Sequence, residues 1–154
     1  MSERPPVTCH VLDTATGKPA ANVVCSVYKI DLVEEASSTG IGLLREASTL
    51  EPFAMARTDA DGRVPRWTFD PTPSKRQQLE EVGVVQDTTG DRLHWEKLPP
   101  GTYKIRFHAG QYYKSLGQTN FHPFADVIFT VEDSRHYHIP LLLSNYGYTT
   151  YRGS

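Results

Sequence analysis

Residues 102–108 alternate strictly: Tyr103, Ile105 and Phe107 are apolar, and Lys104 and Arg106 between them are charged. Successive side chains of an extended strand point to opposite faces, so this spacing gives one apolar face and one charged face. Val7–Asp13 repeats the pattern, with Val7, Cys9 and Val11 on one side and Thr8, His10 and Leu12 on the other. Residues 21–30 align Val23, Cys25 and Val27 in the same way, and 124–131 is rich in β-formers. Dense turn signals separate the runs: Asp13 to Pro19 reads DTATGKP, Asp59-Ala60-Asp61-Gly62 follows a strand over 53–57, and Glu132-Asp133-Ser134 precedes the last hairpin. Short period-two runs punctuated like this predict an all-β chain, an antiparallel β-sandwich of about eight strands. One short helix is expected over 111–117, stopped by Gly117.

Three stretches carry less information. Asp59 to Gly62 reads as a hairpin turn, so 63–69 is expected to return as a strand. Over 31–51 and 71–97 the alternation dissolves into mixed charge and turn residues. These segments are expected to be long loops, with a helical or strand piece near 41–46 and a turn or two of helix over 74–82.

A chain of 154 residues suits one domain with one core. Sixteen Lys and Arg against eighteen Asp and Glu, scattered along the chain, form no basic patch, so neither nucleic acid nor an anionic membrane is predicted as partner. No apolar stretch approaches the roughly 20 residues of a membrane span. Residues 1–10 lack the apolar core of a signal peptide, and Arg152-Gly153-Ser154 is not a peroxisomal SKL-type address. The two cysteines, Cys9 and Cys25, make no disulfide framework and fall on core faces. They are expected to be unreactive buried thiols of a reducing, intracellular compartment.

Chemistry concentrates in residues 136–154, HYHIPLLLSNYGYTTYRGS. His136 and His138 share a strand face, while Ile139, Leu141 and Leu143 point to the core. Pro140 among them is unusual, because proline removes a ladder donor. An aromatic, β-rich ending predicts a terminus held in place rather than frayed. His10, His136 and His138 could in principle supply three zinc ligands, but no Asp or Glu has ligand-like spacing to them. Asp59-x-Asp61-Gly62 lacks the later ligands of a calcium loop. No Gly-x-Ser-x-Gly elbow occurs. No metal and no cofactor are therefore expected, and His94, His108 and His122 read as structural.

Taken together, Cys9-His10-Val11-Leu12-Asp13 with Gly17-Lys18-Pro19-Ala20, TDADGR over 58–63, GTYKIRF over 101–107, and the whole of 136–154 resemble the 5-hydroxyisourate hydrolase branch of the transthyretin-like family. The ending Tyr-Arg-Gly-Ser after a His-Tyr-His strand is the most specific part. The hormone carriers of the same family lack both features and carry a lysine where His10 stands. Cys9 replaces the family's usual threonine, and Asn145 its usual proline. The resemblance omits 31–51 and 71–97, which are expected to be loop insertions in a single transthyretin-like domain over 1–154.

The resemblance implies a prealbumin-like sandwich of two four-stranded sheets. It implies a homotetramer, a dimer of dimers, with sites in a channel between dimers. The implied reaction converts 5-hydroxyisourate to 2-oxo-4-hydroxy-4-carboxy-5-ureidoimidazoline in urate degradation, a step of purine catabolism, in cytosol or peroxisome. Carried over residue by residue, the catalytic set is His10, Arg63 and His138, and the substrate-binding set is His10, Arg63, Tyr151, Arg152 and Ser154; His136 is left as support. A histidine is expected to deprotonate water while Arg63 keeps it neutral and holds substrate oxygens. The competing expectation is a carrier that binds a small aromatic ligand in the central channel.

Overall fold

The computed structural model describes residues 4–48, 51–87 and 92–154. Thr49 and Leu50, and residues 88–91, which belong to the two stretches expected to be irregular, lie outside the described residues. In chain order the elements are β1 (Val7–Asp13), β2 (Lys18–Pro19), β3 (Val24–Glu35), β4 (Leu43–Ser48), β5 (Ala54–Arg57), α1 (Arg76–Glu81), β6 (Val84–Gln86), β7 (Leu93–Trp95), β8 (Gly101–Phe107), α2 (Ala109–Ser115), β9 (Ala125–Val131), β10 (Tyr137–Leu143) and β11 (Tyr148–Thr150). One sheet runs β11-β10-β1-β2; the other runs β4-β3-β8-β9, with β5 also pairing β3. The two inner faces meet in one buried cluster. Val7, Cys9, Val11, Ile139, Leu141 and Leu143 come from the first sheet, and Cys25, Val27, Tyr103, Ile105, Phe107 and Val127 from the second. Each such side chain contributes roughly 1.5–3 kcal/mol when fully removed from water. Cys9 and Cys25 are free and buried within this layer, and a hydrogen bond from the Cys25 thiol to Cys9, then burial, push the Cys25 thiol well above its ordinary range.

The sandwich stands as expected, and its details depart from the expectation in four ways. First, β1 and β10 pair in parallel, Val7 beside Tyr137 through Asp13 beside Leu143. Alternation is the same in parallel and antiparallel ladders, so the sequence carries no trace of strand direction. Second, the other sheet gains a fifth strand. Residues 31–48, expected as a long loop with a helical or strand piece near 41–46, extend β3 and return as β4, so that piece is a strand, with Ile30 opposite Ser48 and Glu35 opposite Leu43. Leu32, Val33, Leu43 and Leu44 stand exposed on this arm. Both of its faces are wet, so the contrast that reveals a strand in sequence is missing.

Third, 63–69 is not a regular strand. It makes only isolated bridges, Arg63 to His10 and Thr68 to Met55. Pro65 has no N–H to donate, and Trp67 turns inward, its indole N–H donating to the Val7 carbonyl at 2.9 Å. The chain lies at the edge of β1 at Arg63 and is back beside β5 by Thr68. Fourth, a second short α-helix joins the one expected over 111–117: α1 forms within 74–82, where a turn or two of helix was expected. α1 and the β6–β7 hairpin cover one end of the core through Trp95, which packs edge-on against Phe53, Trp67 and Phe69 at 5.4, 6.0 and 5.8 Å between centroids. Among the described residues no helix is long and apolar enough to cross a membrane.

Candidate active site

The outer face of the four-stranded sheet collects the predicted residues. Strand periodicity turns Thr8 and His10 outward from β1 while Val7, Cys9 and Val11 are buried. The parallel register sets Thr8 beside His138 and His10 beside Pro140. His10 and His138 are therefore diagonal neighbours on one face. The Thr8 hydroxyl lies 2.8 Å from His138 Nδ1 and 2.8 Å from His136 Nε2. Sequence reading gave Thr8 no role. Its place on the His10 face was legible in the alternation, but its contact with both histidines depends on the parallel register.

Arg63 reaches the same face by a built turn. The Asp59 carboxylate accepts hydrogen bonds from the Asp61 and Arg63 N–H groups at 2.9 and 3.0 Å. These bonds commit Asp59 to shaping the turn. Gly62 follows at φ +74°, and a Cβ there would lie 2.3 Å from the Val11 carbonyl oxygen. That close approach lets the Val11 N–H donate to the Gly62 carbonyl at 2.8 Å. Arg63 thereby bridges His10 directly, and residues opposed in an antiparallel bridge share a face. From β10 outward the order is His138, His10, Arg63.

The C-terminal segment closes the other side. The β10–β11 register pairs Leu141 with Thr150 and resumes at His138 with Gly153, so Pro140 lies opposite Tyr151. Hydrogen-bonded pairs alternate along an antiparallel ladder. The Gly153 N–H donates to the His138 carbonyl at 2.9 Å, which makes the pair two residues on, Pro140 with Tyr151, the next that would need a β10 donor. Proline has none, and the ladder breaks there. Tyr151 is consequently 58% exposed, on the face of His10 and His138. Gly153 permits the rejoining: a Cβ on it would lie 2.6 Å from His138 Cδ2. Ser154 follows, exposed, at the edge of this group. Arg152 goes elsewhere. Its guanidinium lies 4.8 Å from the centre of the Tyr137 ring, which leaves β10 on the buried face.

Electrostatics favour neutral imidazoles. Burial lowers the His138 pKa below its ordinary 6.5, and the charges of Arg63, His10 and Arg4 lower it further. Burial also lowers His136, followed by the charges of Arg4 and His138. A neutral imidazole beside a guanidinium can take a proton from water while the cation stabilises negative charge developing nearby. Among the described residues no group of three or more His, Cys, Asp or Glu side chains is arranged to hold a metal ion. His108 stands apart, bonded to Ser26 at 2.9 Å, and His122 stacks edge-on against Tyr148.

The sequence model of the HIUase/Transthyretin family matches residues 7–153. The chain belongs to this family. Within it, the chain is 34% identical to the 5-hydroxyisourate hydrolase of Mus musculus, over 99% of this chain and 98% of the relative. The solved structure of Klebsiella pneumoniae 5-hydroxyisourate hydrolase is 25% identical, with TM-score 0.59 over 96% of this chain and 97% of the other. Sea bream transthyretin, solved in complex with thyroxine, is also 25% identical, with TM-score 0.60 over 96% and 94%. A hydrolase and a transthyretin are thus about equally similar in fold, so the fold alone does not assign an activity.

Proposed function

We propose that the protein hydrolyses 5-hydroxyisourate to 2-oxo-4-hydroxy-4-carboxy-5-ureidoimidazoline in urate degradation. The observation that carries this reading is the grouping of His138, His10 and Arg63 on one face, with His138 held below its ordinary pKa. Water is the nucleophile. His138 takes its proton as the oxygen bonds to the ring amide carbon, and His10 orients the water. The amide C–N bond then breaks, and the proton passes to the departing nitrogen, leaving a carboxyl and a ureido group. Arg63 holds the substrate oxygens and the developing oxyanion through its planar fork, an interaction of the kind typically worth about 3–4 kcal/mol of barrier. Tyr151 positions the heterocycle, with Arg152 and Ser154 as walls of the site. For Arg152 this requires release from Tyr137.

The proposal includes a homotetramer whose sites lie between subunits. Exposed Tyr146 and Tyr151, and the open edges of β9 and β11, are surfaces such an assembly covers. It also includes an intracellular setting, cytosolic or peroxisomal, which suits the two free thiols. The β3–β4 arm and the α1–β7 segment are read as additions to the single family domain. The test is the absorbance decay of 5-hydroxyisourate generated freshly by urate oxidase. A hydrolase accelerates the decay in proportion to its concentration, and a carrier leaves the spontaneous rate unchanged.

A further inference from the structure

We infer that Thr8 and His136 are positioning residues that fix the tautomer of His138, holding it as Nδ1–H so that Nε2 is the basic nitrogen. The inference rests on the reading of His138 as the base. Its geometry is a chain of three groups: His136 Nε2, the Thr8 hydroxyl and His138 Nδ1, each link 2.8 Å long. A hydroxyl has one proton to give and two lone pairs with which to accept. It therefore cannot donate to both rings, and at least one ring must be the donor.

The work asked of His138 decides which. Its Nδ1 is taken up by Thr8, so the nitrogen left to receive a proton from water is Nε2. A neutral imidazole carries one hydrogen, and a basic Nε2 leaves that hydrogen on Nδ1, where it is donated to the Thr8 oxygen. The Thr8 proton is then given to the lone pair of His136 Nε2. The reverse polarity would put the His138 hydrogen on Nε2 and leave no basic nitrogen for the water. On the far side of the His138 ring, Gly153 packs against Cδ2, and no hydrogen-bond partner among the described residues occupies Nε2. Orientation by a neutral hydroxyl differs from orientation by a carboxylate: it selects the tautomer without adding a negative charge that would raise the basicity of the ring.

The test reads the tautomer directly and separately from activity. Long-range proton–nitrogen NMR of uniformly labelled protein at neutral pH, with His138 assigned by its absence in His138→Gln, is expected to show Nδ1–H for His138 and for His136. In Thr8→Val, which deletes the hydroxyl at nearly constant volume, His138 is expected to become a mixture with Nε2–H. Hydrolysis of 5-hydroxyisourate should then fall roughly ten- to a hundred-fold, the size seen when hydrogen-bond partners that orient functional histidines are removed. Thr8→Ser should retain both the tautomer and the rate within about threefold. Nε2–H as the main form of His138 in the unaltered protein would overturn the inference, and so would an unchanged tautomer in Thr8→Val. Should the unaltered protein fail to hydrolyse 5-hydroxyisourate, the proposed function falls, while the NMR spectra still decide the tautomer.

Discussion

At the scale of single residues, the proposed site depends on a His138 imidazole kept neutral by burial and neighbouring charge. Because the His138 pKa lies below 6.5, the acid limb of kcat/KM is expected below that value. Arg63→Gln removes one of the repelling charges, so the limb of its residual activity should move towards higher pH. A limb that stays in place or moves down would contradict the role given to the guanidinium. Stability follows from the same shifts. An unfolded histidine titrates near 6.5, whereas His136 and His138 resist protonation in the fold. As pH falls below 6.5 the unfolded chain binds protons that the folded one refuses, so this contribution is complete above 6.5 and lost progressively on acidification. Urea midpoints should therefore fall between neutral pH and about pH 5.5, and fall less in His138→Gln. His10, His138 and Arg63 were legible in sequence because their types and local motifs carry the family resemblance. Thr8 was not, because a threonine on a strand face has no distinctive signal until its neighbour across the ladder is known.

Elements position these residues through two glycines with different expected costs. Gly62 has positive φ, and a Cβ would lie 2.3 Å from a backbone oxygen of β1. Gly62→Ala should destabilise the protein by about 2–4 kcal/mol, measured by urea unfolding, since both strain and overpacking act there. Gly153 lies near the open end of the last ladder, where stability depends little on it. Its added Cβ would meet the His138 ring, already pinned by Thr8. Gly153→Ala should cost under about 1 kcal/mol of stability but roughly a hundred-fold in hydrolysis, as misplacement by an ångström can. Equal losses in both properties would mean that the segment is structural only. Strands β1, β8, β9 and β10 were readable because one face is wet and one dry. The extension of β3 was not, having two wet faces, and 63–69 misled because Asp59 to Gly62 turns the chain to β1 at Arg63 before it rejoins β5 at Thr68.

For the whole molecule, a hydrolase and a transthyretin share this fold at nearly equal similarity, so the proposed function rests on one outer face and on what covers it. Sedimentation equilibrium is expected to give four times the chain mass. A monomer at micromolar concentration would leave Tyr151 facing solvent and contradict a site between subunits. The architecture was legible as a sandwich from turn-separated alternation alone. The parallel β1–β10 pairing was not, yet it is what brings the first strand and the last together into one site. The most direct test of that union is the rate of 5-hydroxyisourate hydrolysis by His10→Ala, His138→Ala and the double variant, each first verified as folded. Two residues acting on one water are grossly non-additive. Each single variant should lose about 10²–10⁴-fold, and the double should be little slower than the worse single. Near-normal turnover in either single variant, or fully multiplicative losses in the double, would contradict a shared water-activating site.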